Sequence, residues 1–501
     1  MQKRILFIPH DNRPISDAQT AEVVEKLGYE VVVPPAEMLG GRTDLGNPEE
    51  LWAWARENAK TARAAVISSD TMLYGSLVGS RKHGYNKQQV LERAAQFEAL
   101  REENPKLRLY AFGSIMRTPR SGEASGTEEP EYYKNYGSEI FRYTALADKK
   151  EAEGLTRREA KEYNFLQRLI PEQALNDWMG RRAKNFAASK MLLDFTKQGT
   201  FDYFVLGRDD NAPYSQTHKE SRDLNHYAKE LPSSKYQSMA GIDEIALLML
   251  ARAVNIEKQD VPFVYVKYNK GKGPDTIPSY SDERIDDSIR QAITAAGGMM
   301  VSAPSKADFV LAVNTNPDGK TGEANNYDND GKMRDGTKSF ADLVTGFVNQ
   351  GYPVGIADIA YGNGADNALM EELKKRDLLF KLRTYAGWNT ATNSSGFVIG
   401  EGMLSKNMTD EARDQLLLRR YLDDWAYQAN VRTVIGRQLG WLRGTGAYSS
   451  LDDKKLGIEV RATRMMNAFV EDNLPPLNEL NHLKVSFPWN RMFEAQIDFS
   501  D

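Results

Sequence analysis

Two acidic pairs close apolar runs in this 501-residue chain. The first ends FDYFVLGRDD at 201–210, and the second follows one helix later in GIDE at 241–244. Adjacent carboxyls cannot both ionise easily, so one keeps its proton to higher pH and can deliver it near neutrality. Proton delivery of that kind is what cleaving a sugar or an amide requires. Phe201, Tyr203, Phe204, Val205 and Leu206 can build a buried strand, and Arg208, Asp209, Asp210 and Asn211 crowd polar groups at its tip. In the second pair Gly241 permits a tight turn, and Glu244 is a candidate base or nucleophile opposite Asp210. Plainer readings stand beside these. One Asp of the first pair can cap the next helix while its neighbour pairs with Arg208, and Asp243 is a good N-cap for IALLMLARAV.

Other polar residues fall at comparable places. Asp11 and Arg13 follow RILFIP, where Arg13 can hold a carboxylate or sugar hydroxyls bidentately or lock Asp11 in an ion pair. Asp70, Tyr74 and Arg81 are further candidates for substrate contact. In YAGWNTATN, Trp388 beside Asn389, Thr390 and Asn393 offers an apolar face with amide donors and acceptors, a mixture suited to a pyranose. The same segment reads equally as a buried tryptophan and an Asn cap. Asp358 and Asn363 flank the preceding strand.

The elements that must position these residues alternate. RILFIP, YEVVVPP, AAVISSD and LRLYAFGS are strand-like runs separated by amphipathic stretches at 16–27 and 87–103, which predicts parallel βαβ units, with FDYFVLGRDD as a fifth strand. The polar, charged stretch 121–200 reads as a helical insertion without a motif of its own. A second alternating region starts near Val261, with strands ending at Asn269, Asn314, Asp358 and Trp388–Asn389. From 409 the pattern turns helical, with Trp425, Tyr427 and Trp441 as core or interface residues, and the tail LKVSFPWNRMFEAQIDF alternates like a strand. The expected architecture is α/β: a TIM-like or barrel-derived first half at 1–258, a flavodoxin-like α/β domain at 259–400, and a helical region at 401–501 ending in a strand tail.

Composition removes several classes. Seventy acids against 65 bases, spread along the chain for a formal charge of −5, leave no basic stripe for nucleic acid. The absence of Cys excludes disulfides, thiolate metal sites and a Cys nucleophile. His218 and His226, eight apart on a charged helix, read as surface, and DNDGKMRDG lacks the downstream Glu of a calcium loop. Gly75 and Gly79 in YGSLVGSR are not followed by Lys-Ser or Lys-Thr, so they do not make a phosphate loop. No metal and no cofactor are expected. The start MQKRILFIPHDNRP is too short in apolar residues for a leader or a span, which predicts a cytoplasmic protein off the membrane, or a secreted one if a leader was removed.

Six segments together resemble the bacterial family known as domain of unknown function 4127. They are IPHDNRPIS at 8–16, SSDTMLYGSLVGSR at 68–81, GRDDNAPYS at 207–215, GIDEIALLMLAR at 241–252, ADIAYGNGAD at 357–366 and YAGWNTATNSSG at 385–396. His10 and Asn12 depart from the Asp-Asp-Arg-Pro pattern expected there. A looser likeness is to glycosidases of families 20 and 84, where two adjacent acids end a barrel strand and the substrate's own 2-acetamido oxygen attacks the anomeric carbon. That likeness implies that Asp209 orients and polarises the acetamide and that Asp210 protonates the departing oxygen. The reading is therefore a glycoside hydrolase acting on an amino sugar or cell-wall-type saccharide. The alternatives are a metal-assisted amidohydrolase, in which the same acids ligate a divalent ion, and a non-catalytic two-lobed carbohydrate-binding protein.

Overall fold

The structure is a computed structural model that describes residues 3–122, 128–440, 450–475 and 483–499, which leaves Trp441 outside the described residues. The chain divides into two compact units, Met1–Ala253 with Tyr280–Glu283, and Val254–Ser279 with Arg284–Asp501.

The first unit is built on six parallel strands: β1 (Arg4–Ile8), β2 (Glu30–Val32), β3 (Ala64–Ser68), β4 (Arg108–Ile115), β5 (Tyr203–Arg208) and β6 (Tyr236–Ala240). Their spatial order is β2-β1-β3-β4-β5-β6. The inner strands are buried along nearly their whole length, which is why they read as continuous apolar runs rather than alternating ones. Phe97, Phe201, Phe204 and Tyr236 form a chain of ring contacts with centroids 5.1–6.2 Å apart behind β5. Truncating one such buried ring costs about 3–5 kcal/mol.

This sheet corrects the expected barrel. It is open, with β2 and β6 as its edges, and no closed barrel forms among the described residues. The strand order reverses once beside β1, and a sheet wound in both directions from one strand spreads instead of closing. β6 was not legible because YQSMA is short and keeps two of its five residues half-buried. The stretch between β4 and β5 is helical as expected, with helices at Glu131–Ala152, Arg157–Leu169 and Glu172–Gln198 around a small core of Met116, Tyr133, Ile140, Ile170 and Trp178.

The second unit carries a five-stranded parallel sheet of β7 (Phe263–Tyr268), β8 (Met299–Met300), β9 (Phe309–Asn314), β11 (Val354–Asp358) and β13 (Thr384–Ala386), in the order β13-β11-β9-β7-β8. Counted along the chain this is the flavodoxin-like order 2-1-3-4-5. Two short parallel strands, β10 (Gly322–Glu323) and β12 (Tyr361–Gly362), pair beside it. The carboxyl-terminal helices share one continuous core with this sheet, in which Tyr385, Tyr421, Trp425 and Phe487 take part. The segment Tyr421–Val431 is a π-helix, and the next amide, of Arg432, bonds the Tyr427 carbonyl five residues back. The tail forms two short strands, β14 (Lys484–Ser486) and β15 (Gln496–Asp498), which pair antiparallel with each other.

Candidate functional site

The polar residues that follow β1, β3, β4, β5 and β6 meet at the carboxyl edge of the first sheet. Parallel strands start in register and end in register, so residues distant in sequence arrive at one rim. β1 lies between β2 and β3, and the crevice beside such a reversal is where open α/β sheets hold ligands.

After β1, the buried His10 Nε2 lies 2.9 Å from Asp243 Oδ1 and 3.0 Å from Arg13 Nη2. Arg13 donates from Nε to Asp11 at 2.9 Å and from Nη2 to Asp243 at 2.5 Å. Burial works against ionisation of Asp11, but Arg13 and His10 outweigh it and hold the carboxyl below its usual range. Asp243 is lowered in the same way by Arg13 and His10. His10 is raised, because Asp11 and Asp243 overcome its burial. Arg13 and Asp11 thus form the ion pair that the sequence left open, and Asp243 is its third member.

After β3, Asp70 is buried and accepts the Ser114 amide at 2.9 Å; burial pushes it up to about 7. Tyr74 is buried and stacks on His83 at 4.7 Å. The tips of β5 and β6 are brought together by glycine. Gly241 adopts φ +94° and bonds its amide to the Arg208 carbonyl, and a Cβ on Gly207 would stand 2.4 Å from the Gly241 carbonyl oxygen.

The two members of the first acidic pair have different surroundings. Asp209 is 6 % exposed and accepts from Arg81 Nη2 at 2.6 Å. Asp210 turns outward with its side chain 33 % exposed and accepts from Arg117 Nη1 at 2.9 Å. Its backbone sits at φ +37°, in the left-handed region that Asp tolerates better than most side chains. Desolvation first, and the Asp209 charge second, push Asp210 up to about 6 against the pull of Arg117 and Arg81. Arg208 pairs with Asp282 and Glu283 and not with either acid of the pair.

Glu244 is 1 % exposed, and its Oε2 has no hydrogen-bond partner among the described residues. Burial, with Asp243 and Asp209 nearby, raises its carboxyl well above the ordinary range. Its carboxyl is buried at the rim, unlike that of Asp210, which meets solvent. Two residues missed in the sequence complete the cluster. Glu129 accepts from Arg117 Nε at 2.7 Å, and Glu128 accepts from Arg117 Nη2 at 3.3 Å. They lie in a charged insertion with no periodicity to mark them.

Eight carboxyls, of Asp11, Asp70, Glu128, Glu129, Asp209, Asp210, Asp243 and Glu244, thus share one rim with three arginines and one histidine. The acids outnumber the cations, and burial raises the carboxyls of Asp70, Glu129, Asp210 and Glu244. Of these four, Asp210 is the one with substantial exposure. Among the described residues no group of three or more Asp, Glu or His side chains is placed to hold a metal ion. Arginines occupy the places between the acids.

The remaining sequence candidates belong to the second unit. Asp358 accepts from Asn314 Nδ2 at 2.9 Å, from the Asp366 amide at 2.8 Å and from the Tyr385 hydroxyl at 2.6 Å, and burial followed by Asp366 raises it to about 7. Trp388 is 5 % exposed and packs on Phe493 at 6.1 Å, so its indole is a core contact and not an open platform. Asn363 and Asn389 both adopt positive φ, and the Asn363 amide bonds the Asn389 carbonyl at 2.7 Å. Asn393 is buried in the first turn of the helix Ala391–Leu404, its amide bound by Thr390.

A family model described as Protein of unknown function (DUF4127) matches residues 5–498. The chain belongs to this family. The match spans both units and includes all six segments that carry the resemblance. In this DUF4127 chain His10, the departure from the expected pattern, is an integral partner of Asp243. A comparison with curated proteins returns no match. No helix among the described residues is long and apolar enough to cross a membrane.

Proposed function

We propose that the chain is a glycoside hydrolase in which Asp210 is the general acid. The observation that carries this reading is the contrast within the pair: Asp210 is one-third exposed and raised to about 6, while its neighbour Asp209 is buried against Arg81. A carboxyl with that proton affinity is still partly protonated near neutrality and can give its proton to a departing glycosidic oxygen. Asp209 does not reach substrate in this arrangement; it acts as a positioning residue whose charge keeps the proton on Asp210. Glu244 is buried, so no second exposed carboxylate is assigned as nucleophile. This favours a substrate that carries its own, such as the 2-acetamido oxygen of an amino sugar. Arg117 at the rim offers donors to sugar hydroxyls beside the acid.

The test pairs 4-nitrophenyl glycosides with and without a 2-acetamido group. The expected result is hydrolysis of the acetamido substrates, declining as pH rises through about 6. Asp210→Asn should reduce it by roughly 10²–10⁴-fold with the fold retained by circular dichroism. Full turnover by Asp210→Asn would end the assignment.

A further inference from the structure

The two sheets share a strand order but not a complement of helices. In the first unit the connection from β2 to β3 contains the helix Pro48–Ala59, which buries Leu51, Trp52, Ala55 and Ala59. In the second unit the corresponding connection, from β8 to β9, has only the three-residue turn Pro304–Lys306. No helix of that connection covers β7, and the consequence is visible in the side chains. Although β7 lies inside the sheet between β8 and β9, Phe263 remains 41 % exposed, Tyr265 is half-buried and Lys267 is exposed. These three alternate along the strand and so share one face.

A cavity of about 540 Å³ lies along this strand, lined by Tyr265 through Lys270, Pro274 and, from the helix Thr337–Asn349, Ser339 and Leu343. That volume is in the range of small-molecule sites. It includes the end of β7, and β7 and β9 flank the point where this sheet's order reverses. The lining carries two lysines. Lys270 is paired with Asp335 at 2.9 Å, whereas the exposed Lys267 ammonium has no ion-pair or hydrogen-bond partner among the described residues. Asn269 is spent on the backbone, donating to Thr315 and Gly336, but the Thr315 hydroxyl beside it is buried without a partner among the described residues. Aromatic surface from Tyr265 and an unpaired ammonium on the same strand face are complementary to a flat ring carrying an anion.

We infer that this cavity binds a small aromatic anion of the organic phosphate class, with Lys267 holding the phosphate and Tyr265 packing on the ring. The site lies wholly within the second unit and is independent of the acid cluster of the first. Phenyl phosphate is the probe, with phenol and inorganic phosphate as the arms that isolate ring and charge, and binding is read by calorimetry and by amide shifts of residues 265–270. The expected result is saturable binding of phenyl phosphate, at least tenfold tighter than either control, lost at least tenfold in Lys267→Glu and in Tyr265→Ala. Lys267 is exposed, and an unchanged thermal midpoint of Lys267→Glu certifies the fold. Absence of saturable phenyl phosphate binding to the wild type, or equal binding by Lys267→Glu, overturns the inference. Neither outcome touches the glycoside assay.

Discussion

Arg81 donates to the Asp209 carboxylate at 2.6 Å with both side chains buried, so the first acid of the pair is neutralised in place and the second, Asp210, meets solvent. A buried pair of this kind contributes little net stability relative to apolar residues, but breaking it leaves a charge without a partner. Arg81→Ala should therefore cost roughly 3–5 kcal/mol in urea unfolding, and the double change Arg81→Met with Asp209→Leu should recover most of it. A single-variant loss below about 1 kcal/mol would contradict the burial of the pair.

Asp70 makes the opposite demand on pH. Its folded-state carboxyl is raised from 3.8 to about 7 by burial, so the folded protein holds a proton that the unfolded chain releases above about 4. Its contribution is full below pH 3.8, falls through the interval up to about 7 and is level above it. A shift of this size corresponds to roughly 4 kcal/mol. Asp70→Asn keeps an acceptor for the Ser114 amide and removes the charge. It should be more stable than the wild type at pH 8 by a few kcal/mol, with the advantage shrinking toward pH 4, as read from denaturation midpoints across that range.

The two neighbours of Asp210 should move its pH profile in opposite directions. Asp209 raises the Asp210 carboxyl and Arg117 lowers it. If Asp210 is the proton donor, the alkaline limb of kcat/KM shifts to lower pH in Asp209→Asn and to higher pH in Arg117→Met. The direction of shift is the readout, because both variants also lose stability through the partners they leave behind, Arg81 and Glu129. Shifts of the same sign in both would remove Asp210 from the role.

What the sequence made legible was the set of strands whose burial on both faces forces a continuous apolar run, β1, β3, β4 and β5 above all, together with the acids at their tips. Strand order was not legible, because registers such as Ile8 with Ile67 are decided by tertiary packing and leave no mark on either segment. That is why a barrel was expected where the sheet is open. Nor could composition tell Asp209 from Asp210: both follow the same strand, and only the side on which Arg81 approaches separates the buried acid from the exposed one. For Trp388 the two readings left open were not separable either, since an indole beside amides suits a sugar and a core equally until Phe493 is seen against it.

His10 and Asp243 set the remaining pH dependence and can be followed directly. Asp243 is lowered, so its stabilising contribution is present above 3.8 and disappears as pH falls below that value. His10 is raised, so its contribution is complete below 6.5 and is lost as pH climbs through the raised value. Between about 4 and 6.5 both contributions are in full force. Asp243→Asn removes the carboxylate that lies 2.9 Å from His10 Nε2 and leaves Asp11 as the nearest remaining acid, at 3.6 Å. The His10 ring resonances should then titrate at lower pH than in the wild type, while the acid limb of the stability profile flattens. An unaltered His10 titration would mean that Asp11 alone sustains the charge and that Asp243 serves only Arg13.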